Sequence, residues 1–167
     1  MTAITSLPNL TPREGVIDAI HRCFTGMDTN DHELYESACL QDESMTVVIG
    51  PTTVQGWKAI REFSEKVFHI VTSHAITNIR VALEDGAETA SVTASAMAFH
   101  LRPAEAFTPE DTSYTSASVY RFEVVKDSKD GLWKIKRWEF QVLWTVGDPT
   151  VMHGEEVPEF ITTLESK

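Results

Sequence analysis

Apolar residues in the first seventy positions recur every three or four residues, the period of helices that pack on a core. The first helix has a start signal in which Thr11 caps the helix, Pro12 opens it and Glu14 completes a capping box. The pattern predicts three helices, and their expected limits are Thr11 to Gly26, Asn30 or Asp31 to Ala38, and Trp57 to Ile70.

From about residue 75 the apolar period changes to two, the period of strands. A short strand, Met45–Ile49, precedes the third helix, and the stretch GPTTVQG after it is expected to be a turn. The later strands are long and separated by turn signals: Ala75–Leu83, Thr89–Leu101, Ser113–Val125 and Trp133–Thr145. Consecutive strands form an antiparallel meander, which makes the fold class α+β. Because strands of about twelve residues coil strongly, we expect a curved, mostly antiparallel sheet closed by three N-terminal helices.

The strand Thr89–Leu101 carries small residues along one face. That face consists of Ala90, Val92, Ala94, Ala96, Ala98 and finally His100. Alanine leaves space on a sheet instead of filling it. Two explanations are open: a helix or second subunit approaches the strand closely, or the alanines line a ligand cavity that ends at a titratable group.

Composition limits the classes of partner. The chain has 167 residues, with 14 Lys and Arg against 25 Asp and Glu, and its net charge of −11 repels a phosphate backbone. Nucleic acid is therefore not expected as a partner, and no apolar run predicts a membrane span. Without a signal-peptide pattern, and with Cys23 and Cys39 outside any CxxC motif, the chain is predicted to be cytoplasmic.

Five stretches resemble, in order and spacing, the nuclear-transport-factor-2-like superfamily, and especially its SnoaL-like and scytalone dehydratase-like branch. They are GMDTNDHELYESACL, VQGWKAIREF, TSHAITNIRV, FHLRP and DGLWKIKRWEF, and they cover about residues 10 to 146. The resemblance implies the cone fold of that superfamily. Residues 1–10 would be an N-terminal extension, 11–147 the domain, and 148–167 a tail that is either a lid over the cone mouth or a disordered terminus.

The resemblance also implies a catalytic group. In the dehydratase branch, an aspartate after the first helix lies near a histidine at the end of the third strand. A second histidine begins the strand after the third helix, and the matching residues here are Asp28, His100 and His74. His100 is expected to be the main acid/base, with Asp28 as the carboxylate that orients it and raises its pKa. His74 is expected to be a second proton donor or a water holder.

Other positions depart from the dehydratase pattern, which includes two tyrosines around a catalytic water and a serine and an asparagine on the fourth strand. The corresponding positions are Met27, about Val48, Ala117 and Val119, with Ser116 and Ser118 only adjacent. This alignment predicts that the polar clamp is absent. It favours a larger and more apolar substrate than scytalone, such as a polyketide or terpenoid intermediate.

Each candidate residue also has a purely structural interpretation. Asp28 lies in a run of turn formers, His74 is placed to cap the third helix, and His100 could be a surface residue at a strand end. The candidate substrate contacts are Tyr114, Tyr120, Trp57 and Ala98. On the last strand, Trp138, Phe140 and Trp144 are expected to share one face, as core or subunit interface.

The sequence therefore predicts an acid–base enzyme, a dehydratase, cyclase or isomerase, that acts on a small organic biosynthetic intermediate. No histidine spacing resembles a metal site, so neither a metal nor another cofactor is expected. A homodimer or homotrimer through the outer sheet face is predicted. The alternative is a non-catalytic member of the same fold that binds a small molecule or a protein. A bonded Asp–His pair favours the enzyme, and solvated histidines favour the binder.

Overall fold

A computed structural model describes residues 4–107, 112–159 and 161 of the chain. The helices are α1 (Pro12–Asp28), α2 (His32–Ser37), α3 (Trp57–Phe68) and α4 (Thr150–His153). The strands are β1 (Thr46–Ile49), β2 (Thr52–Gln55), β3 (Val71–Ala82), β4 (Thr89–Leu101), β5 (Tyr114–Lys126) and β6 (Trp133–Gly147).

Within the described residues, the six strands form one sheet in the order β2-β1-β6-β5-β4-β3. The β1–β6 pair is parallel, and the other neighbours are antiparallel. The helices are segregated from the long strands, and α1 packs on the inner face of the sheet through Val16, Ile20 and Phe24. These observations confirm the α+β prediction and the mostly antiparallel sheet.

Helix α1 begins as the sequence predicts. The Glu14 backbone N–H donates to Thr11 Oγ1, and the Thr11 backbone N–H donates to Glu14 Oε2 at 2.8 Å, which completes the capping box. Further along, the buried guanidinium of Arg22 donates to the carboxylate of Asp18, to the carbonyl of Ser37 and to the carbonyl of Trp133 at 2.7 Å. Arg22 thus ties α1 to α2 and β6, and this positions Asp28 at the end of the helix.

Two sequence expectations about strands are wrong. The stretch GPTTVQG contains β2, which pairs with β1 as a hairpin, so only Gly50 and Pro51 make the turn. Gly50 has a φ of 55°, which explains why a glycine stands there. Strand β3 begins at Val71, four residues before the expected start, because Val71 already pairs with Leu101 of β4.

The three aromatic residues of β6 do not share a face. Ser118 of β5 pairs with Val142, but the preceding Ala117 pairs with Trp144, so Leu143 is an extra residue in a β-bulge. Trp138 is therefore buried on the inner face, whereas Trp144 lies on the outer face with 46% of its surface exposed. An insertion of one residue reverses the alternation of side chains, and this is why the sequence pattern misplaces Trp144.

The outer face of the sheet has an apolar half and a charged half. Phe99, Trp144 and Val146 are exposed in the apolar half, where Phe99 and Val146 lie in register on either side of Thr115. In the charged half, Arg121 and Arg137 contact the carboxylate of Glu139.

Candidate active site

A cavity of about 230 Å³ lies between the inner face of the sheet, the helices and the C-terminal segment. Most of its wall is apolar. The polar side chains on the wall are Thr52, Ser64, Lys66, His74, His100, Tyr114, Ser116, Ser118, Tyr120 and His153. A concave apolar site with a few converging polar groups is the usual form of a small-molecule site.

Asp28 is the last residue of α1, and three donors surround its carboxylate. His74 Nδ1 lies 2.6 Å from Oδ1, Thr72 Oγ1 donates to Oδ1 at 2.8 Å, and the His74 backbone N–H donates to Oδ2 at 2.7 Å. A carboxylate at the C-terminal end of a helix is disfavoured by the helix dipole, so the position needs this compensation. Burial by itself would raise the pKa of Asp28, but the bonds from His74 and Thr72 outweigh it and lower the pKa.

The contact with Asp28 fixes the orientation of the His74 ring. Since an ionised carboxylate only accepts hydrogen bonds, Nδ1 carries the proton in this contact. His74 lines the cavity, and its Nε2 forms no hydrogen bond within the part of the chain that the structure describes. Phe24, one helical turn before Asp28, packs its ring 5.0 Å from the imidazole. The pair therefore presents one free ring nitrogen to the cavity.

His100 has a different environment. It is buried on the inner face of β4, and its Nδ1 donates to the backbone carbonyl of Tyr114 at 3.0 Å. Burial is the main cause that lowers the pKa of His100 to about 4, and the nearby imidazoles of His74 and His153 add to it. His100 is therefore neutral at physiological pH and offers Nε2 as an acceptor.

The structure corrects the predicted pairing, because Asp28 bonds His74 and not His100. Helix α1 packs on β3, the edge strand, while His100 lies on β4 opposite Thr72. The ring centroids of His74 and His100 are 6.1 Å apart, so the histidines are neighbours. The expected rise in the pKa of His100 is also wrong, because burial lowers this pKa by more than the charge of Asp28 raises it.

The candidate substrate contacts divide into two groups. Ala98, Tyr114 and Tyr120 line the cavity. Trp57 is not on the described wall; its ring packs 6.0 Å from Tyr35 at the start of α3, and it supports the core.

The alanine face of β4 combines both explanations that the sequence left open. Ala90, Ala94 and Ala96 are packed into the hydrophobic core, in close contact with neighbouring elements. Ala98 instead lines the cavity, and the neighbouring His100 closes the row on the same wall.

The alignment missed two polar residues. Ser116 and Ser118 line the cavity, while Ala117, between them, points to the outer face with Trp144. A shift of one residue in the alignment exchanges the two faces of a strand. The alignment placed Ala117 and Val119 at the clamp positions, whereas Ser116 and Ser118 are the residues of this strand that lie on the cavity wall. The sequence did contain a signal for the inner face. The large aromatic residues Tyr120 and Phe122 occupy the even positions of β5, as Ser116 and Ser118 do, and both aromatic residues are buried.

The C-terminal segment contributes to the cavity wall through Met152, His153, Pro158 and Ile161. Arg102, just after β4, donates to Asp148 at 3.0 Å and to Thr150 at 2.7 Å, which ties the start of the segment to the sheet. The spacing of Phe160, Ile161 and Leu164 also predicts a short helix here, but Phe160 and residues 162–167 lie outside the described residues. The role of the segment as a lid stays a prediction.

The described residues contain no group of three His, Cys, Asp or Glu side chains placed to hold a metal ion. Among the helices that the structure describes, none is both long enough and apolar enough to cross a bilayer.

The burial of His100 predicts a pH dependence of stability. An unfolded chain protonates this imidazole near pH 6.5 and the folded chain near pH 4, so between these values the unfolded state binds more protons. We expect His100 to lower the free energy of unfolding by about 3 kcal/mol as the pH falls through this window. Urea unfolding at several pH values measures the slope.

The control for this experiment is His100→Asn, whose amide can still donate to the Tyr114 carbonyl. The variant should show a shallower slope between pH 6.5 and 4. Some slope should remain, because burial also lowers the pKa of His153 to about 4. Asp28 affects stability at lower pH than the histidines do. Because folding lowers its pKa, the ionised carboxylate stabilises the fold above the ordinary pKa of a carboxyl group, and this stabilisation is lost as the pH falls below that value. Equal slopes in the two proteins would contradict the burial argument.

A model of the SnoaL-like domain matches residues 8–139, which is most of the chain. The chain belongs to the SnoaL-like family. Terrestric acid biosynthesis cluster protein E of Penicillium crustosum is 34% identical to this SnoaL-like protein over 148 residues, covering 87% of this chain and 92% of that protein. The chain is thus homologous to a protein of a fungal secondary-metabolite cluster.

Solved structures share the fold of this SnoaL-like protein. A Novosphingobium aromaticivorans protein named as a candidate scytalone dehydratase superposes with a TM-score of 0.69 at 23% identity, over 81% of this chain and 87% of that one. A type 2 hexachlorocyclohexane dehydrochlorinase (LinA) gives a TM-score of 0.63 at 19% identity, over 80% and 86%. A nuclear-transport-factor-2-like protein of Salmonella enterica gives 0.65 at 10% identity, over 78% and 89%. These likenesses confirm the nuclear-transport-factor-2-like fold.

Proposed function

We propose that this SnoaL-like protein is an acid–base enzyme that needs no cofactor and acts on a small intermediate of secondary metabolism. The observation that carries the proposal is the Asp28–His74 pair, which is bonded at 2.6 Å and has a free ring nitrogen on the wall of an apolar cavity. A histidine held in this way removes a proton from a substrate and returns it elsewhere. This step is common to dehydratases, cyclases and isomerases.

Dehydration of a β-hydroxycarbonyl compound fits the site best. Neutral His74 takes a proton from the carbon next to the carbonyl, and the C–H electrons pass into an enolate. The enolate then forms the carbon–carbon double bond as the β-hydroxyl leaves with the proton from Nε2 of His74, so water is released and His74 is neutral again. Asp28 stabilises the imidazolium that exists between the two transfers.

Hydroxyl groups on the cavity wall are suited to bind the oxygen of the enolate. Ser116 and Ser118 face the cavity from β5, and Tyr120 lies beside them on the same strand. Burial raises the pKa of Tyr120, so its hydroxyl stays protonated and remains a donor. Donors aimed at developing negative charge are a large contribution to catalysis.

The names of related proteins support this choice. The homologue of Penicillium crustosum is named for a biosynthetic cluster, and the two structural relatives are named for elimination reactions, of water and of hydrogen chloride. A polyketide or terpenoid intermediate is the substrate class we propose, because the cavity wall is mainly apolar with a few hydroxyl groups.

A simple β-hydroxyketone, 4-hydroxy-4-phenylbutan-2-one, tests the proposal. We expect the protein to accelerate its dehydration, followed by ultraviolet absorbance, and to exchange its α-protons for deuterium in D₂O, followed by NMR. Exchange reports proton abstraction even when the hydroxyl leaves slowly. If the protein binds the ketone but accelerates neither process, the alternative of a non-catalytic binding protein is favoured.

We further propose that the protein is a homodimer or homotrimer through the apolar half of the outer face. With a net charge of −11, copies of the chain repel each other. The uncharged surface around Phe99, Trp144 and Val146 is an area where two copies can make contact without bringing like charges together.

We expect Trp144→Glu to yield monomers in sedimentation velocity. Gln141→Glu, which adds the same charge to the charged half of β6, should leave the assembly intact. A monomeric wild type would contradict this proposal.

A further inference from the structure

Lys66 of α3 is a half-buried cation on the cavity wall. Its Nζ lies 4.2 Å from the centroid of the Phe63 ring, which also lines the cavity. It forms no ion pair with any carboxylate in residues 4–107, 112–159 or 161. Burial alone lowers the pKa of Lys66, as expected for an ammonium group that lacks an anionic partner.

The charge of the cavity wall is opposite to that of the chain. The chain has 25 acidic residues and a net charge of −11, yet none of the described wall residues is Asp or Glu. The positive charge on the wall comes from Lys66, whereas His100 and His153 are neutral because burial lowers their pKa to about 4. A positive cavity in a negative protein is complementary to an anionic ligand.

The positions of the rings separate His153 from the acid–base pair. Four rings form a row in which His74 is 6.1 Å from His100, His100 is 5.6 Å from Tyr114, and Tyr114 is 5.9 Å from His153. Lys66 lines the same cavity as His153, and its positive charge contributes to the lowered pKa of that imidazole. The Asp28–His74 pair is at the other end.

We propose that Lys66 and His153 form a subsite for a substrate carboxylate, which anchors an acidic substrate while its reacting carbon lies at His74. The inference rests on the proposed function for the identity of the reacting end. Lys66 supplies the charge, and neutral His153 supplies an imidazole hydrogen bond. The substrate class is thereby narrowed to intermediates that carry a carboxylate remote from the C–H bond to be broken.

Cinnamate and cinnamamide are matched probes, since they have the same shape and differ in charge. By isothermal titration calorimetry, we expect the wild type to bind cinnamate about tenfold or more tightly than cinnamamide, the scale of one charge-assisted hydrogen bond. Lys66→Met, which keeps the apolar stem, should remove this preference and leave cinnamamide binding unchanged. Lys66→Arg should retain the preference.

Lys58→Met is the matched control, because Lys58 is exposed on the same helix and does not line the cavity. It makes the same change in net charge and should leave the preference intact. The proposal is overturned if the wild type takes up neither probe or both equally, or if Lys66→Met weakens both probes by the same factor. An equal loss would mean that Lys66 only shapes the wall.

The calorimetric test is independent of turnover. His74→Ala should still prefer cinnamate, because the preference requires no proton transfer. If the preference is present but the β-hydroxyketone is neither dehydrated nor exchanged, the proposed reaction fails and the carboxylate subsite stands. If the ketone reacts but cinnamate is not preferred, the subsite fails and the reaction stands.

Discussion

Replacing His74 by alanine is expected to lower the rate of dehydration and of α-proton exchange by about 10²–10⁴-fold, the usual contribution of a positioned acid–base group. The imidazole is the group on the cavity wall that is bonded to a carboxylate, and its free Nε2 faces the cavity. His100 is a much weaker base, because burial lowers its pKa to about 4 and its Nδ1 is bonded to a backbone carbonyl and not to a carboxylate. Without His74, the substrate proton has no acceptor on the described cavity wall that is hydrogen-bonded to a carboxylate.

The measurement is kcat/KM for the β-hydroxyketone, together with the deuterium exchange rate. His21→Ala is the control, because His21 is exposed on α1 and lies away from the cavity wall. It should keep full activity. Added imidazole should partly restore the His74→Ala variant, since the deletion leaves room in the cavity for it. Unchanged kinetics in a folded His74→Ala protein would eliminate His74 as the base.

Asp28→Asn is expected to lower the same rates on the order of 10²-fold, through the orientation and tautomer of His74. The carboxylate accepts from the Thr72 hydroxyl, the His74 ring and the His74 backbone N–H. An amide has one accepting and one donating end. If its NH₂ faces the backbone N–H, two donors meet. If the amide is reversed, its NH₂ faces Nδ1, which then becomes the acceptor, and the proton moves to Nε2, where the base is needed.

Asp85→Asn is the control for this variant, because it makes the same change in charge at an exposed turn. It should behave as the wild type. Circular dichroism separates a catalytic effect from unfolding, and NMR of the His74 ring nitrogens reports the tautomer. If Asp28→Asn keeps its rate while the His74 tautomer changes, Asp28 has a structural role at the end of α1 and no catalytic one.

Local signals made most of the fold predictable. Caps and apolar periods are encoded within a few neighbouring residues, and the start of α1 at Pro12, the Asp31 cap of α2 and the limits of β4 agree with the sequence. The hairpin at Thr52 was missed because two turn formers precede it and its four residues are too few to show an alternation. Leu143 could not be recognised as a bulge, since a bulge depends on the pairing partner.

The candidate site was predictable in its residues but not in its contacts. Asp28, His74 and His100 all came from the resemblance, and the structure brings them together. Which histidine bonds Asp28 depends on which strand lies against α1, and that is a property of the sheet order. Whether the serines of β5 are assigned to the cavity wall depends on the exact alignment of that strand, because a shift of one residue exchanges its two faces. A polar residue at either 116 or 117 satisfies the same sequence pattern.

The elements that hold the acid–base pair are largely separate from those that shape the rest of the cavity. Asp28 and His74 come from α1 and β3, whereas much of the opposite wall, including Phe63, Val142 and Met152, comes from α3, β6 and the C-terminal segment. A substitution at one of these wall positions changes the space for a ligand without touching the bonds around Asp28. Substitutions at these wall positions can therefore change which ligand fits the cavity while the contacts between Asp28 and His74 stay the same.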